Sequence, residues 1–103
     1  MAIIYHVTTK EAWNAAKKSG FYEAPSLPLE GFIHCSEAHQ VPGVLQRFFK
    51  GKDNLLKLTI DTDKLKHALK YDLAPSLNET FPHIYGPLNV DAVTGEEEIS
   101  NVG

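Results

Sequence analysis

Three histidines stand in short segments where apolar residues give way to polar ones. These are Ile4-Tyr5-His6-Val7-Thr8, Gly31-Phe32-Ile33-His34-Cys35-Ser36 and Phe81-Pro82-His83-Ile84-Tyr85-Gly86. Each imidazole has a hydroxyl within two residues: Thr8, Ser36 or Tyr85. A neutral imidazole donates a hydrogen bond at one nitrogen and accepts at the other, and its charge changes near neutral pH. Groups of this kind hold ligand hydroxyls, move protons or meet anions. His6, His34 and His83 are therefore the candidate catalytic residues. Thr8, Ser36 and Tyr85 are candidate ligand-binding residues, joined by Glu30, a carboxylate that can hold a ribose or orient a histidine. All three histidines lie where a strand meets a turn or helix. The expectation is one concave pocket built from three pieces of chain.

Metal chemistry has little support. His34 and His39 do not have the i, i+4 spacing of two helix ligands, and no Cys-x-x-Cys or second histidine cluster follows. No metal is expected. In strict alternation Cys35 faces away from His34, which suits inert packing. His39 and His67 sit among polar residues and read as surface positions.

The elements that must position these groups follow from periodicity. Residues 3–7 read as a buried strand. Thr8 or Thr9 caps a helix over 9–19, and Thr8 with Glu11 has capping-box spacing. Trp13, Ala16 and Ala12 form the helix's inner side, and Gly20 suits its end. A short edge strand is expected at 21–24, a loop at 25–29 and a strand at 31–35. Ser36 is a cap for the next helix, whose Pro42 moves the expected start toward Val41 and the span to 41–50. Val41, Val44, Leu45, Phe48 and Phe49 share one face there, which predicts core. Leu56, Leu58 and Ile60 alternate with polar residues in a strand over 55–61. Further strands are expected at 68–73 and 87–93. The proline-containing stretch 74–82 reads as a mobile loop. The order implies an α+β fold: residues 1–103 as a single compact domain, a mostly antiparallel split sheet and two main helices.

Composition bounds the function. The chain has 103 residues, 43 % hydrophobic and 22 % charged, with a net charge of −3, which suits one globular domain with one core. Arg47 is its only arginine, and no basic run is interleaved with aromatics. Generic nucleic-acid binding is disfavoured. One cysteine excludes an internal disulfide. The N-terminus lacks a signal-like segment, and no apolar stretch approaches the roughly 20 residues of a membrane span. A cytoplasmic protein without membrane partners is expected.

The segments Ile4 to His6, Trp13, Ser26-Leu27, Glu30 to Ser36, Gln40, Phe48-Phe49, Leu58 to Asp61 and Phe81 to Gly86 resemble a family catalogued as a domain of unknown function, number nine hundred and fifty-two. That family name implies no activity. More distantly, a strand ending Tyr-His-x-Thr, a helix and a strand ending His-x-Ser resemble the front half of the ADP-ribosyltransferase-like fold, shared by RNA 2′-phosphotransferases. The resemblance implies an NAD cleft in a split sheet. His6 and Thr8 match its first element, and His34 and Ser36 match its second. RNA 2′-phosphotransferases use several arginines on the phosphates, where this chain has Arg47. Many protein-modifying relatives use a late glutamate; Glu96, Glu97 and Glu98 are late here, and none is assigned to that motif.

Three functions stay open at this point. One is a nucleotide-pocket protein using NAD as an ADP-ribosyl transferase or hydrolase. Another is a non-catalytic module binding a small-molecule nucleotide or anion on the same fold. The third is a histidine-based hydrolase or phosphotransferase that does not use NAD. A carboxylate reaching the pocket separates the first from the second.

Overall fold

The computed structural model describes residues 2–99. The N-terminal strand β1 spans Ile3–Thr9, with Ile4, His6, Val7 and Thr8 buried. Thr9 stays extended, and its hydroxyl accepts from the backbone N–H of Ala12 at 3.1 Å. Thr9 is therefore the cap of helix α1 (Lys10–Ser19). The expected Thr8–Glu11 box does not form, because the Thr8 side chain turns inward and Glu11 accepts from the Asn54 side chain. Trp13 and Ala16 are the buried residues of α1, and Ala12 is exposed. Gly20 ends the helix at φ 92°, a left-handed conformation that glycine adopts without steric cost.

Strand β4 (Leu55–Asp61) pairs antiparallel with β1 from Ile3 opposite Asp61 to Thr9 opposite Leu55. On its other edge β4 carries β8 (Val93–Ile99), giving the order β1-β4-β8. A second sheet has the order β3-β6-β5, from Ile33–His34, Glu79–Ile84 and Leu69–Ala74. Strands β2 (Phe21–Tyr22) and β7 (Leu88–Asn89) form a small antiparallel pair. All of these pairings are antiparallel, in an α+β arrangement with few helices. Ile4, Trp13, Ile33, Leu58, Ile84 and Leu88 belong to one buried cluster shared by the sheets and α1. Among the described residues no helix is long and apolar enough to cross a membrane.

The two larger sheets join and then part at one point, and Pro82 accounts for it. In β6, His83 lies opposite His34. One step on, the Cys35 N–H donates to the Pro82 carbonyl at 2.9 Å. Proline has no N–H to return the bond, so the ladder stops there. Ser36 pairs instead with Tyr5 of β1 through two backbone hydrogen bonds of 2.7 Å. The chain thus crosses from one sheet to the other within two residues. This is why the strand expected over 31–35 shrinks to Ile33–His34.

Other expectations also need correction. Ser36 is not a helix cap, since its backbone is committed to β1. Glu37 and Gln40 form a reciprocal capping box around a 3-10 turn at Ala38–Gln40, which leads into α3 (Val41–Phe48) with Pro42 in its first turn. The proline-containing loop at 25–29 contains a five-residue helix, α2 (Ser26–Glu30), ended by Gly31 at φ 87°. The loop expected over 74–82 reduces to a four-residue turn at 75–78 between the end of β5 and the start of β6, which pair from Ala74 opposite Glu79 to Leu69 opposite Ile84. Pro75 stands in the tight turn, and Pro82 sits within β6 where the ladder to β3 ends. The strand expected over 87–93 ends at Asn89, and Val90–Ala92 form a 3-10 turn. On α3 only Val41 of the predicted apolar face is buried, and Phe48 is 65 % exposed.

Candidate functional site

The parting of the sheets leaves a cleft of about 880 Å³. Residues of β1 and β2 form one side, the β5–β6 hairpin and α3 another, and α2 with β3 the mouth. His6, His34 and His83 all line it, with Thr8, Glu30 and Ser36. Tyr85 does not line the cleft; it acts on a residue behind His83.

His6 is buried at the base. Its Nδ1 lies 2.6 Å from the His34 carbonyl oxygen, and its Nε2 lies 2.8 Å from the Tyr22 hydroxyl. Burial pushes its pKa down to about 4, so the ring is neutral at pH 7. A carbonyl only accepts, so Nδ1 carries the proton and donates to it. Nε2 must then accept from Tyr22. The Tyr22 hydroxyl also shares a 3.0 Å hydrogen bond with the Thr8 hydroxyl. With its own proton given to His6, Tyr22 takes the Thr8 proton as acceptor. The result is one directional chain: Thr8, Tyr22, His6 and the His34 backbone. No buried side-chain nitrogen or oxygen among the described residues lacks a partner.

His34 stands at the mouth, half exposed, with Nε2 2.9 Å from the Glu30 carboxylate. The short helix α2 presents Glu30 four residues before His34. His83 is the deeper partner. Its Nδ1 donates to Asp72 Oδ2 at 2.8 Å, and the Tyr85 hydroxyl donates to the same oxygen. Tyr85 follows directly on β6, two residues after His83, and its hydroxyl and the His83 ring reach the same Asp72 oxygen. Asp72 pairs with Phe81 in register and is the diagonal neighbour of His83. Hydrogen bonds from Tyr85 and then His83 hold the Asp72 carboxyl below its ordinary range. The His83 pKa is lowered, first by burial and against the opposing pull of Asp72. Phe32 fixes the ring planes: it stacks on His83 at 4.2 Å and 15°, and meets His34 edge-on at 4.9 Å. The two imidazoles are themselves 4.9 Å apart, edge to face.

The remaining wall is apolar, from Val44, Phe48, Phe49, Leu73, Leu77 and Phe81. Arg47 is the one cation lining the cleft among the described residues. It makes no ion pair there and lies 5.8 Å over the Phe48 ring. None of the late glutamates lines the cleft. Glu96 accepts from Trp13 Nε1 at 2.5 Å, Glu97 pairs with Lys57 and Glu98 with Lys10. The carboxylates that do line it are Glu23 and Glu30, with Asp72 acting through His83. Cys35 is buried, and burial pushes its thiol pKa up, which leaves it unreactive. Among the described residues no cluster of His, Cys, Asp or Glu is arranged to hold a metal.

Sequence reasoning missed Tyr22, Asp72, Phe32 and the cleft position of Arg47. Asp72 was within reach: alternation across 68–73, laid against 79–84 as a hairpin, puts it diagonal to His83. Nothing local marks Tyr22.

Residues 7–96 match the sequence profile of the family described as Protein of unknown function (DUF952). The chain belongs to this family. Among solved structures it is similar to protein CC0527 of Caulobacter crescentus. The crystal structure of that protein matches at 32 % identity and a TM-score of 0.87, covering 96 % of this chain and 87 % of the other. Its solution NMR structure matches at 33 % identity and a TM-score of 0.82, covering 97 % and 86 %. No curated protein matches.

Proposed function

We propose that this member of the family binds a ribonucleotide in the cleft, with NAD as the ribosyl-donor substrate, and that it transfers or hydrolyses the ribosyl group. The observation that carries the reading is the half-exposed Glu30–His34 pair at the mouth of a large cleft with an apolar wall. A carboxylate accepts from two adjacent ribose hydroxyls, and the imidazole beside it adds a donor or acceptor. Phe48 and Phe81 offer flat apolar surface to a base. Arg47, without an ion pair among the described residues, can meet a phosphate with its guanidinium fork. Ser36 and Thr8 supply hydroxyls along the β1 side. These residues suit a nucleotide, and the distant resemblance to the ADP-ribosyltransferase-like fold points to the same ligand class.

One observation favours the second reading, a non-catalytic binding module. A single arginine faces the cleft, and none of Glu96, Glu97 and Glu98 reaches it.

Calorimetric titration with NAD and ADP-ribose tests the proposal. Binding of either, weakened at least threefold by Glu30→Gln and by Arg47→Ala, supports it. No heat of binding with either nucleotide overturns it. Binding without release of nicotinamide selects the module over the transferase.

A further inference from the structure

His83 in the cleft wall, with Asp72 and Tyr85 behind it, forms a second unit separate from the Glu30–His34 pair assigned to ribose. Three observations set it apart. The His83 ring lines the cleft while its Nδ1 is committed to Asp72 at 2.8 Å. Its Nε2 has no hydrogen-bond partner among the described residues, although every fully buried polar side-chain atom there has one. The ring cannot easily turn, because it is stacked on Phe32 and braced by Asp72, which is itself held by Tyr85. An imidazole with a carboxylate at one nitrogen and an open second nitrogen is arranged to take a proton.

We infer that His83 is the general base of this cleft: it removes the proton from the hydroxyl or water that attacks the anomeric carbon of a bound ribosyl substrate. Asp72 and Tyr85 are positioning residues that fix its tautomer and plane. This rests on the ribonucleotide reading above. In the step, the nucleophile's O–H proton passes to Nε2 as its oxygen bonds to the anomeric carbon. The glycosidic C–N bond breaks, and its electron pair leaves with the nitrogen base; from a pyridinium ribosyl bond that base departs neutral. The proton on His83 then returns to solvent, so no oxidant or further reactant is required.

The surroundings agree with a ring that is neutral at rest. Burial lowers the His83 pKa, against the opposing effects of Asp72 and Glu30. The ionisable groups facing it are Asp72 from β5, His34 from β3 and Glu30 from α2. Behind Asp72 lie Tyr85 and Lys70, whose ammonium sits 5.1 Å over the Tyr85 ring. Asp72 is ionised well below neutrality. The attack rate should therefore fall on the acid side as His83 takes up a proton.

The test uses the full chain with NAD and reads nucleotide affinity, nicotinamide release, and the His83 imidazole by nitrogen-detected NMR titration. In His83→Ala, release should fall about 100- to 10,000-fold, the usual span for general acid–base catalysis, with affinity changed less than threefold. Added imidazole should restore part of the rate. Asp72→Asn should lower the rate at least tenfold and move the His83 titration downward. That NMR shift is readable without turnover. His83→Ala that keeps its rate within threefold, or is not rescued by imidazole, overturns the assignment and leaves the nucleotide reading standing. Binding by the wild type without nicotinamide release also overturns it, in favour of the module. No binding of NAD or ADP-ribose overturns both.

Discussion

Protonating His6 should cost this fold its base, and the cost can be worked out. An exposed histidine titrates near 6.5, and His6 in the folded chain titrates at about 4. The folded-state pKa is the lower one, so the unfolded chain takes up the proton first. The stabilisation from keeping His6 neutral is complete above pH 6.5 and is lost as the pH falls toward 4. Linkage puts the loss at about 1 kcal/mol by pH 5.5 and roughly 2 to 3 kcal/mol by pH 4.5. Other groups titrate in the same range, so the informative quantity is a difference between two proteins. In His6→Asn the side-chain amide can still donate to the His34 carbonyl but does not reach Tyr22. It should be about 1–3 kcal/mol less stable than wild type at pH 7, because the buried Tyr22 hydroxyl loses its acceptor. The variant has no proton to take up at this site. Urea melts at pH 7, 5.5 and 4.5 should show the gap shrinking by roughly 2 to 3 kcal/mol and then closing or reversing. A gap that stays constant over that range would falsify the buried, neutral His6 and the tautomer derived from it.

Three further outcomes follow from particular contacts. Tyr22→Phe removes the link between Thr8 and His6 and should destabilise by about 1–3 kcal/mol in the same melts at pH 7; an unchanged midpoint would contradict the hydrogen-bonded chain. His34→Ala should leave stability within about 1 kcal/mol, since its side chain is half exposed and its carbonyl bond to His6 survives. Its affinity for ADP-ribose should fall roughly 2- to 13-fold by calorimetry; a large loss of stability with unchanged affinity would mark a structural histidine. Gly43→Ala, inside α3, should stabilise by about 0.5–1 kcal/mol from helix propensity. The added methyl would meet only the flexible end of Arg47, at 2.9 Å, so affinity for ADP-ribose should drop as the guanidinium shifts. Thermal melts beside titrations check both parts.

What could be read from the sequence divides along physical lines. Helix α1 and strand β4 were legible because their apolar residues recur at helical and at alternating spacing, and β1 because it is a run of Ile, Tyr and Val, buried on both faces at His6, Val7 and Thr8. Gly20 as a helix end was legible for the same local reasons. The three cleft histidines were found because each breaks an apolar run near its end. What escaped depends on pairing. Pro82 reads locally as a loop residue, and only the three-strand order shows that a missing N–H can sit in a central strand and end a ladder. Phe48 has the spacing of a core residue, yet α3 packs through Val41 and leaves Phe48 beside the cleft. Tyr85 was correctly linked with His83, but the Asp72 that joins them comes from another strand, so Tyr85 holds a carboxylate rather than lining the cleft.

The hairpin register has a consequence for the order in which the site is assembled. Strands β5 and β6 are joined by a tight turn, Ala74 lying opposite Glu79, and contacts of this kind form within roughly 1–10 μs. The Asp72–His83–Tyr85 geometry is internal to that hairpin and needs no distant part of the chain. His6 reaches its place only when β1 pairs with β4, Ile3 opposite Asp61. Closing so long a loop is entropically slow. A refolding chain should therefore bring its carboxylate and imidazole together early and gain the floor beneath them late. Between the two events lies an interval in which the proton-accepting half of the cleft exists without the half that gives it a shape.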